Sequence, residues 1–235
     1  MALEIPELFT NSVVLSSFAF LVLTWLMFHN ASKILKDQRW KFSFITAVIL
    51  IGWFGAVFIL SRAGFFALNH LVAPYIFIGF IILFGILQKV YSSKNIQKVS
   101  DAIPVHWIIS IQTYRIVGVG FFILYAQGVL PGAFAFPAGI GDILVGVTAP
   151  LVALLYFLKK SYSRKLAITW NILGIADLVI ALSVGALGYP RPLQVIPLEL
   201  STEPLSLFPL ALISLFAVPL ALLSHFFSLR VLRKD

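Results

Sequence analysis

The sequence predicts an all-α integral membrane protein, a bundle of seven transmembrane helices with the N-terminus outside and the C-terminus cytoplasmic. Three observations predict it. Apolar residues make up 60% of the 235 and charged ones only 11%, against roughly 45–50% and 25% in soluble domains. Seven apolar runs reach the roughly 20 residues that a helix needs to cross a hydrocarbon core of about 30 Å. Lys and Arg fall on alternate connections between those runs, the pattern that sets orientation in a membrane.

The runs lie near 8–28, 42–61, 71–88, 105–127, 137–158, 166–187 and 207–228. The start, Met1 to Glu7, is acidic where a secretion signal is basic, so the first run is expected to stay as an anchor. In the third run Pro74 occupies the first turn, where its missing N–H is tolerated. Its far end grades into a polar connection through Gln88, Lys89 and Tyr91. The sixth connection, 188–206, carries Pro190, Pro192, Pro197 and Pro204 and is expected to be irregular, a stiffened loop or a cap. No connection is long enough to fold separately, so residues 1–235 read as a single membrane-embedded domain.

Fourteen of the seventeen basic residues lie on connections one, three and five or after the last run. These are Lys33, Lys36, Arg39 and Lys41, then Lys89, Lys94 and Lys98, then Lys159, Lys160, Arg164 and Lys165, and finally Arg230, Arg233 and Lys234. The other side holds Arg62 and Arg191 among Glu4, Glu7, Glu199 and Glu203. A missed or false span would scramble that alternation, so it also checks the span count. The side rich in Lys and Arg is the inside, and a bacterial cytoplasmic membrane is the expected location. The formal charge of +8 is therefore assigned to topology and anionic lipid rather than to nucleic acid. The absence of cysteine excludes disulfides and thiolate chemistry.

Three ionisable residues remain inside apolar runs: Arg115, Asp142 and Asp177. A charge at membrane depth costs at least about 2.5–3.5 kcal/mol and calls for a partner or a task. Gln112, Arg115 and Val119 share one face at helical spacing, and Arg115 sits near the middle of its run, beyond easy snorkelling. Asp142 is flanked by Gly139, Gly141 and Gly146, and Asp177 has Asn171, Gly174 and Ala181 at helical offsets, small residues that let helices approach. By residue count Asp177 matches the depth of Arg115, while Asp142 lies nearer the outside. At least one direct pair is expected. Two acids and one base leave one carboxylate in excess, and that group, Asp142 on this reading, is the titratable one.

The expected function is that of a small permease or channel-like protein, in which Asp142 or Asp177, with Arg115, Gln112 and Asn171, relays a proton, an ion or a small solute. The alternative is a non-enzymatic membrane subunit or assembly factor with a membrane protein partner, in which the same charges form a structural ion pair. No cofactor is implied. His29, His106 and His225 fall near the inner ends of runs one, four and seven, where a metal or haem is conceivable, but an interfacial polar tip is the plainer role.

Gly139-Ile-Gly-Asp142 resembles the GxGD motif of intramembrane aspartyl proteases, which implies an alternative enzyme with Asp177 as second acid. That family places its other Asp before the motif, whereas Asp177 follows it. Gly139-Ile-Gly-Asp142 and Gly174-Ile-Ala-Asp177 also match each other at a separation of 35 residues, as an inverted repeat would. A retinal-type protein needs a Lys in the last helix, and 207–228 has none. The run from Phe208 to Leu229, with Pro209 and Pro219, resembles the last helix of uncharacterised bacterial multi-pass membrane proteins, which implies no activity. Pro219, like Pro150, is expected to free a backbone carbonyl.

Overall fold

A computed structural model describes residues 5–67, 81, 85, 88–89, 93–190 and 195–234, and among them the regular structure is entirely helical. Helix α1, Glu7–Ala31, and helix α2, Arg39–Arg62, form a hairpin around a 3-10 turn, Ser32–Gln38. The turn reverses the chain at Lys36, whose φ of 48° no helix contains. Helix α3, Lys94–Asp101, is short and capped by the Ser93 hydroxyl, which accepts from the Ile96 N–H at 3.4 Å. Helices α4, Val105–Ala126, α5, Gly132–Phe157, α6, Ser163–Leu187, and α7, Leu210–Leu232, follow. Thus α1, α2 and α4–α7 are each long and apolar enough to cross a membrane, while most of the expected third span, 71–88, lies outside the described residues together with His70 and Arg191.

The connections gather at two ends. At the lower end the 3-10 turn, α3 and the close of α7 meet: Asn95 donates to Gln38 at 2.8 Å, and Arg230 pairs with Asp101 at 2.9 Å. Arg164 there donates to the Leu232 carbonyl at 3.1 Å. At the upper end two further 3-10 turns, Phe65–Ala67 and Glu203–Ser206, pack together, and the Arg62 guanidinium stacks 5.2 Å over Phe208. Residues 195–206 fold back over the top of α6: Thr202 Oγ1 donates to the Gly185 carbonyl at 2.6 Å, and Ser214 Oγ of α7 donates to Leu205 at 2.9 Å. The described part of the proline-rich connection is therefore a cap.

Helix α7 is the hub. Of its most apolar 18 residues 89% are buried, against 22–50% in the other membrane-length helices. Those others leave apolar stripes exposed, as Leu144, Val147, Leu151 and Leu154 do on α5, and such stripes suit lipid better than water. Pro219 has no N–H, so the Leu215 carbonyl one turn earlier loses its helical partner. The Trp53 indole of α2 supplies one, donating to that oxygen at 3.0 Å. Just before the proline, Ile213–Ala217 widens to a π-helical turn, and Tyr114 of α4 donates to the Ala217 carbonyl at 3.2 Å.

Two local expectations are corrected. Helix α5 starts at Gly132 rather than near 137 and carries Pro137 inside it. Helix α4 changes period in its middle, where Ile111–Val119 is wound as a 3-10 helix. At three residues per turn the buried face is Gln112, Arg115 and Gly118, and Val119, expected on that face, is 49% exposed.

Candidate functional site

Arg115 is 1% exposed at the middle of α4 and binds both acids. Its Nε donates to Asp142 Oδ1 of α5 at 2.6 Å, and its Nη2 donates to Asp177 Oδ2 of α6. Asp142 lies ten residues from Gly132, Asp177 ten from Leu187 and Arg115 eleven from Ala126. At 1.5–2.0 Å per residue these are depths of roughly 15 to 18 Å from the upper end. The expected stagger, with Asp142 nearer the surface and Asp177 the better depth match for Arg115, is thereby replaced by a level triad. The five extra residues at the start of α5 account for the difference. In the 35-residue match the glycines preceding the two acids have different neighbours.

Each acid is seated on a glycine of the preceding helix. A Cβ at Gly118 would overlap the Asp142 side chain, and one at Gly141 would overlap the Asp177 carboxylate. A Cβ at Gly174, next in the series, would stand 2.6 Å from His225 Nε2 of α7. Gly146 brings α5 onto the α4 backbone, its would-be Cβ 2.7 Å from the Ile116 nitrogen. Of these glycines Gly118 was not singled out from the sequence, because a 3.6-residue period puts Val119 in its place.

The other expected residues lie just below. Gln112, 1% exposed, donates through Nε2 to the Ala221 carbonyl of α7 at 3.2 Å. Asn171, fully buried, donates to Ala167 at 2.7 Å and to Ser228 Oγ at 3.0 Å, and its Oδ1 is 2.9 Å from His225 Nδ1. His225 is thus a core residue with 0% exposure, which corrects its reading as an interfacial tip. The three histidines have separate surroundings. His29 meets Ser43 and Arg39 with its two ring nitrogens, at 2.7 and 2.9 Å, and His106 packs on Phe157 at 5.0 Å between ring centres.

Above Asp142 a cavity of about 30 Å³ is lined by Phe121, Phe134, Leu178, Leu205 and Ser214 among others, room for one or two waters. Leu205 of the cap closes over it. Both carboxylates keep 15% of their side chains exposed. The guanidinium holds an oxygen of each acid, so the pair is not a proton-sharing dyad of the aspartyl-enzyme kind. When all three groups are ionised the centre carries one net negative charge, which a proton or a monovalent cation neutralises.

A lower, apolar groove of about 590 Å³ runs between α1, α2 and α7, lined by Phe28, Phe42, Ile49, Trp53 and Phe227. It does not reach the triad.

No curated protein and no solved structure matches the chain. A family model matches residues 72–233, a stretch that takes in the triad, its glycine seats and all of α7. By that match the chain belongs to the family described as a domain of unknown function (DUF8737).

Proposed function

We propose that this chain is a seven-span carrier of a bacterial cytoplasmic membrane, N-terminus outside and C-terminus inside, which moves a proton alone or with a small solute through Arg115, Asp142 and Asp177. The level triad carries the reading: one guanidinium on two carboxylates leaves a single negative charge in excess. In hydrocarbon that charge calls for a proton or cation. The cavity touching Asp142 supports access from above, beneath a cap able to close it. The test is proton flux into liposomes that hold the purified protein and a trapped pH-sensitive dye. Asp142→Asn removes the excess charge and is expected to cut the flux at least about tenfold; flux at the unmutated level would overturn the reading.

One observation favours a second reading, a membrane subunit or assembly factor. Both acids are already bonded to Arg115 and the cavity is small, the features of a static ion pair. Buried pairs of that kind are often replaceable by apolar residues at no cost in stability. On this reading a variant combining Arg115→Met, Asp142→Leu and Asp177→Leu keeps both its function and a copurifying membrane partner.

A further inference from the structure

One turn below the triad, three buried polar atoms have no partner among the described residues: Arg115 Nη1, Gln112 Oε1 and His225 Nε2. Their hydrogen-bonding roles can be derived. Both amide hydrogens of Asn171 are used, on the Ala167 carbonyl and on Ser228 Oγ. Its Oδ1 therefore faces His225 Nδ1 as an acceptor, and Nδ1 carries the proton. In the neutral ring Nε2 is then a lone pair. The three atoms thus comprise one donor, on Arg115, and two acceptors, on Gln112 and His225.

The residues that carry them are linked through neighbouring turns. Gln112 and Arg115 are three apart on a 3-10 helix and share its buried face. Gln112 is held to Ala221, one turn before His225. His225 Nε2 lies against Gly174, one turn before Asp177. A buried polar group left unsatisfied is costly, so three of them carried on neighbouring turns ask for a ligand. A water molecule complements the set: two hydrogens for Oε1 and Nε2, one lone pair for the Nη1 hydrogen.

We propose that Arg115 Nη1, Gln112 Oε1 and His225 Nε2 hold one water, and that through it His225 is the lower proton station of the triad. The carboxylic acid of Asp142 or Asp177 gives its proton to the water as the water gives one to Nε2. The products are a carboxylate, the same water and an imidazolium, so atoms and charge balance. The relay rests on the carrier reading; the water site does not.

The site is tested on the unmutated, 15N-labelled protein in lipid bilayers by solid-state NMR. The expected result is a His225 ring protonated at Nδ1 and bare at Nε2, with a through-space contact between Nε2 and water that Gln112→Leu removes. A protonated or dry Nε2 overturns the site. In the liposome assay His225→Phe is expected to lower proton flux at least about tenfold. If Asp142→Asn abolishes flux and His225→Phe does not lower it, the relay is overturned and the carrier stands. If the unmutated protein passes no protons, carrier and relay fall together, and the NMR contact alone decides the water site.

Discussion

Gly118, Gly141 and Gly174 position the buried chemistry as much as the ionisable residues do, because each leaves out the one atom that would displace its neighbour. Gly141→Ala is expected to push the Asp177 carboxylate off Arg115 and to destabilise by about 1–3 kcal/mol, the range for an added methyl in a packed interior. Gly52, mid-helix in α2 with nothing within 4 Å of its Cβ position, is the control. There alanine removes unfolded-chain freedom and is expected to be neutral or stabilising by up to about 1 kcal/mol. Thermal unfolding in detergent compares them, and equal shifts would mean that Gly141 is not a seat. The charges themselves were legible, since an ionisable residue in an apolar run announces itself. The seats were not: Gly139, Gly141 and Gly146 look alike in sequence, yet they face Phe122, Asp177 and the backbone at Ile116.

At the scale of elements, α3 is held to the bundle by ionic contacts of Asp101 with Arg230 in the last turn of α7 and with Lys234 just beyond it. Burial pulls the Asp101 carboxyl upward, but hydrogen bonds and charge from Arg230 and Lys234 outweigh it and hold the group below its ordinary range. A depressed acid stabilises fully above its unfolded value, roughly 3.9, and the contribution is lost as pH falls through the folded value. Amide protection at Val99 and Ser100 is therefore expected to weaken below about pH 4, and Asp101→Asn is expected to abolish that dependence. Protection that falls equally in the Asn variant would place the acid sensitivity elsewhere. Helix positions were legible from hydropathy, but the central place of α7 was not. Its mean hydropathy of 2.2 sits within the 1.5–2.4 of its neighbours, because a residue facing lipid and one facing protein satisfy the same apolar rule. The 3-10 winding of α4 was equally hidden, since no proline lies between Ile111 and Val119 to mark it.

For the whole molecule, the basic connections gather at one end in the fold as they alternate in the sequence. A chain without cysteine makes the orientation directly testable. In intact cells a membrane-impermeant maleimide is expected to label Glu199→Cys, and Lys160→Cys only after permeabilisation. The reverse pattern would invert the topology, and labelling of both from outside would remove α6 as a span. The stepped seating has a kinematic consequence as well. With Asp142 recessed into α4, Asp177 into α5 and His225 into α6, a slide of any one of these helices by a single residue brings a neighbouring side chain, such as Val117 or Val119, against an ionised or imidazole group. Axial sliding is thus blocked at two points on the level of the triad and at a third one turn below it, while tilting about that level is not. For the proposed carrier these seats leave rocking, with Arg115 as the pivot, as the way to open above or below.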